Sequence, residues 1–300
     1  MGNETTKKNE QFKEDMMQSV IKAFNIKGHK KKMELTDQDT WDVIEEISPN
    51  VKYFAVYDGH GVKGREASEG LKKEIHKKLV SDKKKIPKLK ELPKVESYFK
   101  DLFKSIQKKL SGTNDYELSG TCAICVLIVD NKMFAINVGD SRCVLGQRKG
   151  GEVSEKIPGA PRVFRKNDEV PGLAVARSIG DIVAHEVGVS CEPEVFEKEL
   201  DSDDHFIVIG SDGVWDAMSS CEVVGYIFQK METNKEQCAI LLAEECRNRW
   251  ELINLYKQKY IMEMNLNDEQ NKTKNSKNNI IDIDDITCVI DFLNIEKEEY

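Results

Sequence analysis

Three apolar stretches of this 300-residue chain stop at a carboxylate. Val51–Tyr57 runs into Asp58-Gly59-His60-Gly61, Lys132–Val138 into Gly139-Asp140, and Phe206–Ile209 into Gly210-Ser211-Asp212-Gly213. A fourth, Ile286–Phe292, begins directly after Asp284-Asp285. An aspartate beside a strand is ordinarily a turn residue, so each alone says little. If the strands are neighbours in a sheet, however, their tips crowd several carboxylates into one small volume. Like charges so close require a counter-charge. A donor set made only of oxygens suits Mg²⁺ or Mn²⁺ better than zinc, and the adjacent glycines let backbone carbonyls approach an ion. The spacing points to a two-metal site.

Gly59-His60-Gly61-Val62-Lys63-Gly64 also spells the glycine pattern of a dinucleotide-binding turn, after a strand and before a helix. That fold needs an acid at the end of a second strand about 20 residues on. The only candidate, Asp82, follows a helical segment and precedes three lysines. Nucleotide binding is set aside.

The elements that must position these residues follow from periodicity. Phe12, Met16, Val20 and Phe24 recur every fourth residue and predict an amphipathic helix. Ala67, Leu71, Ile75 and Leu79 mark another, and a third covers Val95–Leu110. The lysine-rich stretch Ser81–Lys94 between them reads as a surface linker. Thr121–Val129 and Lys132–Val138 form a hairpin about Asp130-Asn131. Residues 147–171 read as an irregular flap, 265–279 as a disordered insertion, and Cys221–Met231 and Lys235–Tyr260 as helices. Residues 1–27 then form an N-terminal amphipathic segment and 28–295 one domain.

Composition narrows the class. Charged residues make up 33% of the chain and the formal net charge is −8, the wrong sign for a protein that holds nucleic acid by neutralising phosphates. No apolar run approaches the ~20 residues of a membrane span. The eight cysteines form no disulfide or zinc framework, and Cys122 and Cys125, on opposite faces of a strand, read as core packing. The expectation is a cytoplasmic monomer.

The motifs Asp58-Gly59-His60-Gly61, Ser119-Gly120-Thr121, Asn137-Val138-Gly139-Asp140-Ser141-Arg142, Gly172-Leu173-Ala174-Val175-Ala176-Arg177-Ser178-Ile179-Gly180-Asp181, Asp212-Gly213-Val214-Trp215-Asp216 and Asp284-Asp285-Ile286-Thr287 occur in that order. The series resembles the metal-dependent protein serine/threonine phosphatases of type 2C, over about Lys32 to Leu293. The resemblance implies an α+β fold, a central sandwich of two antiparallel β-sheets with helices on both outer faces. It implies hydrolysis of phosphoserine and phosphothreonine in protein substrates by water bridging two Mg²⁺ or Mn²⁺ ions. By the same resemblance Asp58 bridges the ions, the Gly59 carbonyl binds one, Asp212 and Asp284 supply carboxylates, and Asp39 acts partly through water. Asp140 and Asp216 match ligands of a weaker third ion. His60, beside Asp58, is the expected general acid.

Three departures matter. No arginine precedes Arg65, so Lys32 is the substitute for the family's phosphate-gripping arginine, without its bidentate fork. The stretch from Arg142 to Gly172 lacks the family's Asp-His-x-Pro segment, and Asp285 stands where the family commonly has Asn. The altered grip and short flap keep open an alternative, a catalytically weak pseudophosphatase that binds phosphoproteins or a partner. Arg177 and Asp181 are expected to form a structural ion pair outside the site. Lys83–Lys90 reads as solvated surface, with docking of an acidic partner as the lesser reading. Finally, Met1-Gly2-Asn3-Glu4-Thr5-Thr6 fits N-myristoylation at Gly2. One such chain gives only reversible membrane contact.

Overall fold

Alternation along the third strand sets the architecture. Tyr53, Ala55 and Tyr57 pack with helix residues such as Leu71, Ile75 and Phe99, whereas Phe54 and Val56 pack with Ile207, Ile209 and Val289 of a second sheet. A strand buried on both faces, one against helices and one against another sheet, is the signature of a layered sandwich. The computed structural model describes residues 20–29, 36–147, 163–164, 171–266 and 282–293.

In chain order the strands are β1 (Val20–Ile26), β2 (Thr40–Ser48), β3 (Val51–His60), β4 (Gly120–Val129), β5 (Lys132–Val138), β6 (Arg142–Gln147), β7 (Val163–Phe164), β8 (Pro171–Leu173), β9 (Ile179–Gly180), β10 (Glu194–Glu199), β11 (Asp204–Gly210) and β12 (Ile286–Phe292). The helices are α1 (Gly64–Ser81), α2 (Leu92–Leu110), α3 (Ile182–His185), α4 (Asp212–Trp215), α5 (Ser220–Asn234) and α6 (Cys238–Leu266). One sheet runs β10-β5-β4-β3-β2, with β9 added beside β4, and the other runs β1-β12-β11-β6. Every pairing within them is antiparallel. Helices α1 and α2 cover the first sheet and α5 and α6 the second, so the α+β sandwich read from the motifs is the observed fold.

The segment expected to be helical from Phe12 to Phe24 departs from that reading. Val20–Ile26 is β1, in register with β12 from Val20↔Phe292 to Ile26↔Ile286. Ile21 and Ala23 pack between the sheets, while Phe24 and Ile26 pack on the helix side. Both faces are covered, which a strand's two-residue period allows. Residues 20–26 therefore belong to the sandwich, not to a separate N-terminal segment; residues 1–19 lie outside the described residues.

The Ser81–Lys94 linker contains a short 3-10 turn at Ile86–Lys88, and α2 begins at Leu92 with Pro93 in its first turn, where no backbone donor is needed. Helix α5 starts with a reciprocal cap, Ser219 Oγ accepting from Glu222 N and the Glu222 carboxylate accepting from Ser219 N. Between the sheets, Lys52 is 2% exposed and Asp291 fully buried. Burial pulls the Lys52 ammonium below its usual range, and Asp291 then Glu45 oppose that shift. Most of 147–171 and 265–279 lies outside the described residues, although Val163–Phe164 pairs with Pro171–Leu173. Among the described residues no helix is long and apolar enough to cross a membrane.

Candidate metal centre and active site

The two-residue period of β3 carries the line Lys52, Phe54, Val56 on to Asp58, so its carboxylate points to the inter-sheet side where the core ends. Asp58 stands opposite Cys122 of β4. Asp140 follows β5 after one glycine, and Asp212 follows β11 as the first residue of α4. Carboxylate oxygens of Asp58, Asp140 and Asp212 lie within 4.8 Å of one another. Asp216 is one turn beyond Asp212, its amide bonded to the Asp212 carbonyl at 2.8 Å. Asp284 precedes β12 and accepts the Asp285 amide on Oδ1 at 3.0 Å.

Their electrostatics match that crowding. Loss of hydration pushes Asp58 and Asp212 well above the ordinary carboxylate range, and neighbouring acids push further: Asp212, Asp39, Asp140 and Asp284 on Asp58, and Asp284, Asp140, Asp39 and Asp216 on Asp212. Asp216 is raised too, by burial and then by Asp140 and Asp284. Burial lifts Asp39 to about 7, against the opposing hydroxyls of Ser211 and Thr287. Its Oδ2 is buried without a hydrogen-bond partner among the described residues. A buried carboxylate oxygen with no donor, beside acids whose burial and mutual repulsion oppose ionisation, is a defect in a protein interior unless a cation belongs there. The residues present fit divalent ions with hard oxygen ligands.

The N-terminal segment is fastened to this cluster by Asp285. Its Oδ1 accepts the Gly28 amide at 2.6 Å and its Oδ2 the Gln38 amide at 2.8 Å. A carboxylate serves both donors; an asparagine would offer one oxygen and set its own NH₂ against the second N–H. Around Asp39, Arg65 Nη1 donates to the Asp39 and Asp37 carbonyls at 2.6 and 3.2 Å and Nη2 to Glu69 at 2.6 Å, so its guanidinium is committed to the scaffold. Gly59 is required by crowding. A Cβ there would sit 2.3 Å from the Gly64 carbonyl oxygen and 2.6 Å from that of Gln38, because the strand end, the start of α1 and the Gln38 segment touch backbone to backbone.

His60 has a partner that the sequence reading missed. Its Nε2 lies 2.6 Å from Oδ2 of Asp181, whose side chain is 4% exposed. Asp181 was expected to pair with Arg177, but Arg177 bonds the Glu192 carbonyl at 2.8 Å and Glu194 at 3.3 Å. Asp181 is held in the left-handed region, φ 43 and ψ 50, by its amide bond to the Ser119 carbonyl at 2.9 Å. The preceding Gly180 is clamped by Gln107 of α2, which donates to its carbonyl and accepts from its amide, both at 2.8 Å. One signal was available: Ile179-Gly180-Asp181 repeats the strand-Gly-Asp ending of Val138-Gly139-Asp140.

Of the expected site residues, Asp39, Asp58, Gly59, His60, Asp140, Asp212, Asp216 and Asp284 are brought to this end of the sandwich. Lys32 and Gly2 lie outside the described residues.

The sequence profile of protein phosphatase 2C matches residues 19–157 and 149–250. A relative from Arabidopsis thaliana, probable protein phosphatase 2C 35, is 30% identical over 258 residues, 69% of this chain and 72% of that protein. Probable protein phosphatase 2C 64 of Oryza sativa subsp. japonica is 28% identical over 228 residues, 65% of this chain but only 53% of that protein. In fold, the chain resembles a serine-threonine phosphatase 2C from Toxoplasma gondii, with TM-score 0.63 and 16% identity over 91% of this chain and 94% of that one. The S. agalactiae serine/threonine phosphatase gives 0.63 and 17%, over 92% and 99%. With the motif order, the sandwich and the acidic cluster all in agreement, the chain belongs to the protein phosphatase 2C family, the metal-dependent protein serine/threonine phosphatases.

Proposed function

We propose that the chain hydrolyses phosphoserine and phosphothreonine in proteins with water activated between two Mg²⁺ or Mn²⁺ ions. One observation carries the reading: carboxylate oxygens of Asp58, Asp140 and Asp212 converge within 4.8 Å beside His60. Asp58 would be shared by both ions, with Asp39, the Gly59 carbonyl, Asp212 and Asp284 completing the pair; Asp140 and Asp216 would hold a weaker third ion. Bound ions of this kind lower the pKa of water, making hydroxide available near neutral pH, and neutralise charge on phosphoryl oxygens.

The chain's own residues do the rest. Asp181 takes Nε2 of His60, which leaves Nδ1 as the ring nitrogen free to give a proton to the departing serine or threonine oxygen. Asp181 thus fixes the ring's orientation, and Gln107 fixes Asp181. Lys32 supplies a point charge for the phosphate in place of an arginine. Gly2 is the site of acylation and reversible membrane contact.

Release of phosphate from a phosphoserine peptide, measured with Mn²⁺ and again with excess chelator, tests the reading. Turnover that requires metal supports it. Tight phosphopeptide binding without turnover would instead make the chain a binding module.

A further inference from the structure

Charge is distributed very unevenly over this molecule. Between Lys72 and Lys109 the chain has fourteen lysines and five carboxylates, a formal +9, so the remainder carries −17 against the total of −8. This segment is the outer layer formed by α1, the 3-10 turn and α2. Its apolar residues, Leu71, Ile75, Leu79, Val95, Phe99, Leu102, Phe103 and Ile106, face the sheet, which leaves the lysines outward.

The layer is concave where the charge is densest. A hollow of about 500 Å³ between α1 and α2 is lined by Lys77, Lys78, Lys85 and Lys109, with Tyr98 among its walls. A second, also about 500 Å³, lies along α1 over Lys72, Lys73 and His76, and meets the first at Lys77. Of the acids nearby, Glu74 is engaged with Lys109 and Asp82 with Lys78, while Asp101 also lines the first hollow. Lys85 lies 5.0 Å over the Tyr98 ring. Lys73, Lys77, Lys83, Lys84 and Lys88 are exposed and have no ion-pair partner among the described residues.

We infer that this face docks an acidic stretch of the phosphoprotein substrate, an inference that rests on the phosphatase reading above. Its extent favours a short acidic peptide over larger polyanions. A long nucleic acid or a membrane leaflet would extend beyond the patch onto a molecule whose remaining residues sum to −17, which opposes it. No arginine occurs between Arg65 and Arg142, so the bidentate phosphate fork common at nucleic-acid interfaces is missing here. A peptide chain fits the hollows and stays within the basic patch.

Geometry sets the spacing. α1 starts at Gly64, packed on Gly59 beside the metal centre. At 1.5 Å per residue, Lys77 lies about 20 Å along the helix from there, a span of about six extended residues. The acidic stretch should therefore begin about six or more residues from the phosphorylated one.

The test compares two phosphoserine peptides that differ only in carrying six glutamates or six glutamines about eight residues from the phosphoserine, on either side. At low salt the glutamate peptide should show a KM about tenfold lower with unchanged kcat, and the advantage should fade as salt is raised. In Lys73→Glu/Lys77→Glu/Lys85→Glu the two peptides should become equal, while hydrolysis of a small aryl phosphate stays at the wild-type rate. Equal KM values in the wild type, or an advantage that survives charge reversal, would overturn the inference. So would sedimentation with phosphatidylserine vesicles that charge reversal abolishes, which would assign the face to a membrane. Anisotropy of a fluorescein-labelled glutamate peptide without phosphate reads the face apart from catalysis. A wild type that binds this peptide yet hydrolyses nothing keeps the docking face and fails only the phosphatase reading.

Discussion

Oδ2 of Asp181 lies 2.6 Å from Nε2 of His60, joining residues 121 positions apart in a contact held from behind by Gln107. If Asp181 orients His60, the two should fail together. His60→Ala should cost about 10²–10⁴ in turnover on a phosphoserine peptide. Asp181→Asn should cost part of that on its own and little more in the His60→Ala background, because residues acting as a unit are not additive. Both losses should shrink on an aryl phosphate, whose leaving group needs little protonation. Equal losses on the two substrates would remove the acid role.

Asp58 carries the strongest expectation for metal. Asp58→Asn removes one of the three carboxylates that converge within 4.8 Å and should abolish both turnover and calorimetric Mn²⁺ binding while the fold persists. Asp140→Asn and Asp216→Asn should be milder at saturating Mn²⁺. An Asp58→Asn protein with unchanged metal affinity would sink the assignment.

Stability of the metal-free protein should depend on pH in an unusual sense. Asp39 rises from the ordinary 3.8 to about 7 on folding, and Asp58 and Asp212 rise as well. A carboxyl whose folded pKa is raised binds more protons folded than unfolded, so its contribution is complete below about pH 4 and is lost as pH climbs through the folded pKa. With chelator present, Asp39 should lower Tm between about pH 4 and 7, and Asp58 and Asp212 should add to the fall as pH rises. Added Mg²⁺ should restore more Tm at pH 8 than at pH 5, and thermal melts across that range read the difference directly.

Lys32→Ala should raise KM for a phosphopeptide more than it lowers Mn²⁺ affinity, as expected of a group that holds phosphate and not metal. Steady-state kinetics beside calorimetry separates the two. An unchanged KM would leave the phosphate to the ions alone.

At the N-terminus, Gly2→Ala should shift the protein wholly to the soluble fraction without altering activity on a soluble phosphopeptide. One myristoyl chain binds membranes only on the order of 10⁴ M⁻¹, so the wild type should divide between the two fractions. Absence of incorporated myristate analogue in cells would dismiss the modification.

The central strands β3, β4, β5, β11 and β12 were legible because both of their faces are buried, which makes them long apolar runs. The aspartates beside glycine at the ends of β3, β5 and β11, and those just before β12, made most of the acidic cluster legible too. Strands β2 and β10 were missed because they are the edges of their sheet, and Thr40–Ser48 and Glu194–Glu199 are correspondingly polar. Strand β1 was misread for a numerical reason. A spacing of four residues is near one helical turn but also a multiple of two, so Val20 and Phe24 share a face in either structure. Asp181 escaped because its role depends on which distant strand it meets, and β9 joins β4 through only two paired residues.

Strand β12 lies between β1 and β11, and Asp284 and Asp285, just before it, reach the acidic cluster and the Gly28–Gln38 segment. The centre is thus closed by a strand that follows every other strand of both sheets in chain order. A nascent polypeptide still short of residue 284 has an open gap in one sheet and an incomplete ligand set. Long-range closure of this kind is slow and follows the local helices. Activity should therefore appear all at once when this strand docks, and a chain truncated before Asp284 should leave no partly active fragment.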